Sequence, residues 1–278
     1  MFNNIVTRFI NVSGVCEGFV KDVIRTNSIL PLQFISTTPQ AFYSQNLRDA
    51  FLKEVNFYLD KAIYQYILSK ELLNKGNFSW GAVTQYYANF FAISGLIRLH
   101  EHGFSRIGNL DVEVQYQPNI YRIKKINVKG LHRVVWSKYY FLYKGFNYKP
   151  HIFYIVYSPL KTYDFYYESD RRNDINYNPA TGYNEIYQTF NTIRNLIKER
   201  TKDTYSKNQI YQTDEWVDID NITQYRIRLL GNIIFEIDKL SNFPTFAKER
   251  STKRKNIIHR YENNKKYRER IMGWLEGN

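Results

Sequence analysis

Apolar side chains recur at three- and four-residue steps through Leu47, Phe51, Val55, Tyr58, Leu59, Ala62, Ile63, Tyr66 and Ile67, while Lys53, Asp60, Lys61 and Lys70 fill the remaining positions. That period belongs to a long amphipathic helix. Thr38 as N-cap and Pro39 at the first helical position predict its start, and Gly76 its end. Ser79 can cap a second helix, in which Trp80, Val83, Tyr87, Phe91 and Ser94 form one stripe. Ala82, Tyr86, Phe90, Ile93 and Ile97 make its other faces apolar as well, the mark of a helix buried within a bundle. Ala88, Ala92 and Gly95 permit close approach of a partner, and Gly103 closes the segment. The two stretches predict an antiparallel helical hairpin.

The pattern changes on either side of this hairpin. Residues 1–37 hold short β-branched runs, "RFINV" and "LQFIST", which predict strands or an irregular arm. After the hairpin, "DVEVQYQ", "NIYRIKKINV", "VVWSKYYFLY" and "HIFYIVYSPL" predict three or four strands parted by Pro118, Gly130, Gly145 and Pro150. The run from Arg171 to Asn184 is rich in turn residues. Helical spacing then returns with Ile186, Phe190, Ile193 and Ile197, and again with Ile222, Leu229, Ile233, Ile237 and Leu240. Pro244 opens or kinks a last helical segment carrying Ile257, Tyr261, Ile271 and Leu275. The expected class is α+β, mainly α. Its parts are an N-terminal arm (1–37), a helical hairpin (38–103), a β-rich insertion (104–182) and C-terminal helices (183–278).

Composition narrows the function classes. A chain of 278 residues can bury a sizeable core, and 17% aromatic content excludes a disordered one. Its 25 tyrosines suit both half-buried surfaces and base stacking, although an AT-rich coding sequence accounts for the same excess. A net charge of +13 favours polyanionic partners. The charge gathers near the C-terminus, where Lys248, Arg250, Lys253, Arg254, Lys255, Arg260, Lys265, Lys266, Arg268 and Arg270 face only Glu249, Glu262 and Glu269. Cys16 is the only cysteine, which excludes a disulfide framework and a cysteine-based zinc site. Asn3, Asn4, Arg8 and Asn11 interrupt the first residues, and no apolar run approaches the ~20 residues needed to cross a bilayer. A cytoplasmic protein without membrane contact is expected.

Candidate chemistry is sparse. His100 and His102 are two residues apart, the wrong spacing for helical metal ligands, and His132 and His151 fall in strand-like runs without an acidic or thiol partner. No phosphate-binding loop, dinucleotide turn, serine-hydrolase elbow or zinc-protease helix is present. No cofactor is expected. What remains is Arg254-Lys-Asn-Ile-Ile-His259-Arg-Tyr261, an R-x4-H-x-Y pattern late in the chain. Together with the aromatic hairpin "AVTQYYANFFAISGLI" it resembles the HEPN superfamily, over roughly residues 40–103 and 183–278. Lys255 follows the arginine where many members carry Asn, Asp or His, and the polar residue here is Asn256.

The resemblance implies a HEPN-like antiparallel bundle and a metal-independent endoribonuclease, of the kind found as toxins or antiviral defence effectors. His259 would move the proton of an RNA 2′-OH, and Arg254 would hold the phosphate as it becomes pentacoordinate. Asn256 and Tyr261 would support the pair. Arg250, Lys253, Lys255, Arg260, Lys265 and Lys266 would bind the nucleic acid. Five residues on a regular helix turn through about 140°, so Arg254 and His259 do not share a face. The chemistry then calls for a homodimer with one cleft between two such helices, a common HEPN arrangement, and an antitoxin or neighbouring defence protein would be a further partner. The alternative is a non-catalytic, basic nucleic-acid-binding subunit of a defence or processing complex. A structural module that meets an acidic protein is a third reading, which no residue pattern favours.

Overall fold

A computed structural model describes residues 2–27, 40–42, 44–118, 120–127, 130–143, 167–177 and 215–276. The chain opens with two short helices, α1 (Phe2–Phe9) and α2 (Val20–Asn27). Their apolar residues, Ile5, Val6 and Phe9, then Val20, Val23 and Ile24, sit one turn apart and are all buried. This corrects the strand expectation for "RFINV": Arg8 and Phe9 close α1, and Ile10, Asn11 and Val12 follow it outside any strand. "LQFIST", Thr38 and Pro39 lie outside the described residues.

A short strand, β1 (Gln40–Phe42), precedes the long helix α3 (Gln45–Asn74). Ser44 is its N-cap and accepts a hydrogen bond from the Leu47 amide at 3.2 Å, so the helix begins later than Pro39 suggested. It ends at Gly76, whose φ of 82° lets the Asn77 and Gly76 amides fold back onto the Leu72 and Leu73 carbonyls. Helix α4 (Phe78–Arg98) runs back along α3 and is buried on nearly every side. The predicted hairpin is therefore present. Gly95 matters here, because a Cβ at that position would lie 2.6 Å from Leu230 Cδ2. The helix stops at Arg98 rather than at Gly103, which belongs to the next strand.

Strands β2 (His102–Ile107), β3 (Leu110–Gln117) and β4 (Ile120–Lys125) form an antiparallel meander, and β1 adds beside β4 to give the order β1-β4-β3-β2. Phe104, Val112, Val114, Tyr121 and Ile123 turn one face of this sheet into the core. Glu101, at the turn into β2, is fully buried with a positive φ of 53°. Its carboxylate accepts from Arg8 at 3.2 Å, from Arg48 at 3.0 Å and from the Tyr121 hydroxyl, tying α1, α3 and the sheet together.

The segment "VVWSKYYFLY" is not a strand but part of helix α5 (Leu131–Tyr143). Val135, Trp136, Tyr139 and Tyr143 are buried at steps of one, three and four residues, so packing at helical spacing prevails over their local preference for strands. "HIFYIVYSPL" and the Ile186–Ile197 pattern lie outside the described residues. Arg171, expected in a turn-rich link, lies instead within helix α6 (Tyr167–Tyr177). Helix α7 (Glu215–Leu240) follows the expected spacing. The last helical segment is two helices, α8 (Pro244–Tyr261) and α9 (Lys265–Leu275), because Asn264 caps a new start by accepting from the Lys266 and Tyr267 amides.

The described apolar residues form one core running from Ile5 to Trp274. Four interior arginines are each answered by a carboxylate, as buried cations require. Arg98 meets Glu54, Arg226 meets Glu168, Arg250 meets Asp238 and Arg254 meets Asp60. The class is α+β and mainly helical, as expected. Among the described residues, no helix is long and apolar enough to cross a membrane.

Candidate nucleic-acid interface

Helix α8 carries the R-x4-H-x-Y residues, and its period distributes them over different environments. Ala247, Arg254 and Ile258 form the buried side. Arg254 is 5% exposed. Its Nε donates to Asp60 Oδ1 at 2.8 Å and its Nη2 to Asn56 Oδ1 at 2.7 Å, both on α3. Asn56 in turn donates to the Leu52 carbonyl at 2.9 Å. The guanidinium that was expected on a phosphate is thus committed to a neighbouring helix. His259 lies in the last turn of α8 with an exposed side chain. Within one chain the two groups do not converge, consistent with the 140° between them.

The supporting residues separate as well. Asn256 is exposed. Tyr261 packs edge-on against Tyr64 of α3 with ring centroids 4.9 Å apart, yet keeps 42% of its surface exposed. Of the expected phosphate-binding cations, Arg250 is drawn inward: it donates to Asp238 at 2.6 Å and to the Ser13 carbonyl. Lys255 is engaged with Glu276 at 2.7 Å. Lys265 lies 3.9 Å from Glu269, and Lys266 is exposed.

Lys253 and Arg260 remain, and both lie over aromatic rings. Lys253 Nζ is 5.4 Å from the Phe57 ring and Arg260 is 5.5 Å from that of Tyr261, with neither cation in an ion pair with a described residue. With Lys248 they border a shallow groove of about 580 Å³ along the outer side of α8, lined also by Thr245, Glu249, Thr252, Asn256, Ile257 and Tyr261. Three cations, one acid and an exposed aromatic edge make this strip attractive to a phosphate backbone with stackable bases. His259 flanks the strip without lining it.

A second group was not foreseen. His132, expected in a strand, begins α5 and its Nδ1 lies 2.7 Å from the Tyr86 hydroxyl. Its ring stacks on Phe90 with centroids 4.1 Å apart. Burial, and then the charge of Arg172 on α6, hold His132 below the ordinary histidine range. The sequence distance between α4, α5 and α6 hid this cluster, and the adjacent Arg171 and Arg172 in a turn-like stretch were its only visible sign. His102, in contrast, is interior: it lies 2.7 Å from Glu113, which also meets Lys124 at 2.7 Å. Burial raises the Glu113 carboxyl, but hydrogen bonds from His102 and Lys124 outweigh it and leave the group well below the usual carboxylate range. His151 lies outside the described residues. Among those residues, no group of three or more His, Cys, Asp or Glu side chains is placed to hold a metal ion.

No protein-family model matches the chain, and no curated protein or solved structure matches it either.

Proposed function

We propose that this protein binds single-stranded RNA along the outer face of α8, continuing onto the first turn of α9. The observation that supports this reading best is the groove bordered by Lys248, Lys253 and Arg260, none of which is neutralised by a described carboxylate. Phosphates meet these cations while the exposed edge of Tyr261 offers a surface for a base. Lys265 and Lys266 extend the positive strip.

The test is fluorescence anisotropy of a labelled oligoribonucleotide titrated with protein at 50 to 200 mM salt. Affinity falls steeply with salt, and Lys253→Glu with Arg260→Glu together weaken it at least tenfold. Each lost phosphate contact lowers the log–log salt slope by about 0.7. A flat salt response, or unchanged binding in the double variant, overturns the reading.

Cleavage of that RNA is a second reading, favoured by the exposure of His259 in the same basic surroundings and by the HEPN-like R-x4-H-x-Y pattern. With Arg254 committed to Asp60, the positive charge on the phosphate would have to come from exposed cations such as Arg260. On this reading purified protein cuts RNA in EDTA and leaves a 2′,3′-cyclic phosphate, and His259→Ala abolishes cutting without loss of RNA binding. Undiminished cutting by His259→Ala removes His259 from the chemistry, and an intact oligonucleotide leaves binding alone. A toxin or defence role belongs to this second reading, and arrest of cell growth on expression of the wild type but not of His259→Ala tests it.

A further inference from the structure

Arg172 breaks the rule that the four interior arginines obey. It is half-buried on α6, yet no carboxylate among the described residues meets it. Its Nη1 reaches only the Tyr87 phenol, at 3.5 Å, and its buried Nε has no acceptor among the described residues. The guanidinium rests 5.3 Å over the Tyr86 ring. Asp170, on the same helix, is engaged with Arg133 at 2.8 Å. A partly dehydrated cation with a buried, unmet donor is costly unless an anion arrives.

His132 faces the same two tyrosines. Trp136 Nε1 donates into the Tyr86 hydroxyl at 3.3 Å, and the same hydroxyl lies 2.7 Å from His132 Nδ1. Burial pushes Tyr86 up to about 12, which keeps the phenol protonated at neutral pH. When that phenol donates to Nδ1, the neutral imidazole carries its hydrogen on Nε2. Stacking on Phe90 and the edge of Tyr87, 6.0 Å between centroids, fixes the ring plane. Nε2 forms no hydrogen bond to any described residue.

We propose that Arg172, His132 and Tyr87, brought together where α4, α5 and α6 meet, form a binding site for a phosphoryl group carried by a nucleotide. The guanidinium supplies a fork of donors and the charge, and the imidazole supplies a neutral N–H. The Tyr87 ring offers an aromatic edge to the attached base. Neither catalysis nor the α8 groove is involved, so the site stands or falls apart from the RNA-binding reading. The titratable and charged groups facing His132 are Tyr86 and Tyr87 on α4 and Arg172 on α6, with the Arg133–Asp170 pair beside it.

The experiment follows the His132 ring protons by NMR in the full-length protein across pH 5 to 8. Probes are inorganic phosphate, a nucleoside 5′-monophosphate, the unphosphorylated nucleoside, and a short RNA with or without a 5′-phosphate. A bound phosphoryl group favours the imidazolium, so the midpoint moves up with the monophosphate and not with the nucleoside. A response to the 5′-phosphorylated RNA but not to the free monophosphate assigns the site to an RNA end, and the reverse assigns it to a free nucleotide. Arg172→Met weakens monophosphate binding at least tenfold by calorimetry, Arg172→Lys restores part of it, and Lys253→Glu with Arg260→Glu leaves it unchanged. His132→Gln, which keeps a donor and cannot titrate, binds without the pH dependence. The proposal fails if no phosphorylated probe moves the His132 midpoint, if the nucleoside moves it equally, or if folded Arg172→Met binds as the wild type does.

Discussion

Arg254 and Asp60 join α8 to α3 through a charge pair shielded from water, with Asn56 taking a second guanidinium hydrogen. Removing one member of such a pair leaves the other charged and stranded, which costs about 3 kcal/mol or more. Arg254→Ala and Asp60→Ala are each expected to lower the urea midpoint by that equivalent. The double variant should lose less than the sum, because the second deletion relieves the first. The same measurement guards against a misreading: lost RNA cleavage in Arg254→Ala would follow from a weakened fold as readily as from lost chemistry. This role was not legible in the sequence. Asp60 and Asn56 lie 194 and 198 residues before Arg254, and nothing in a linear pattern reports a partner at that distance. The exposure of Lys253 and Arg260 was legible, since isolated cations on the polar side of a helix stay in solvent. That Arg250 and Lys255, cations of the same kind, would each find a carboxylate was not.

Among the elements, the α3–α4 hairpin is the best specified by its own residues. It has a capping serine, a glycine terminator and a second helix with small residues where neighbours approach. At Gly81 a Cβ would stand 2.6 Å from Leu73 Cγ and 3.2 Å from the Leu73 backbone nitrogen. Gly81→Val is therefore expected to destabilise the protein by about 2 kcal/mol despite removing a helical glycine, read as a lower thermal midpoint. The strands β3 and β4 were equally plain from alternation and turn residues. Helix α5 was not, because Val, Trp and Tyr favour strands locally and only their burial at helical spacing shows which preference prevailed. Helix α1 was missed for the same reason, and the break between α8 and α9 turned on Asn264, a cap easily passed over inside a charged run.

Across the whole molecule, Arg226 holds the centre. It is fully buried, donates to Glu168 at 2.7 Å and to Asn89 at 2.8 Å, and lies about 5 Å over the rings of Trp136 and Tyr139, so four helices share one cation. Burial raises Glu168, and Arg226 offsets only part of that rise. In Arg226→Leu the offset is gone and the carboxyl is pushed higher still. A group whose folded value exceeds its unfolded one binds protons more tightly when folded, so the variant gains stability as pH falls toward the unfolded carboxylate range near 4.5. Arg226→Leu is expected to lose about 3 to 5 kcal/mol at pH 7 and distinctly less at pH 5, measured by denaturant unfolding at the two values. An equal loss at both would show that Glu168 is not the group responsible.

Glu101 also constrains which substitutions the chain can accept. Its backbone holds a twist that glycine adopts freely, while its head group collects donors from two helices and a strand. Glycine would relax the main chain and strand two arginines. Glutamine would drop the charge and set a donor amide where one of the two oxygens now accepts, and aspartate would suit the twist but fall a methylene short. Every replacement surrenders at least one of the two demands, so a deep mutational scan should find position 101 nearly closed to change.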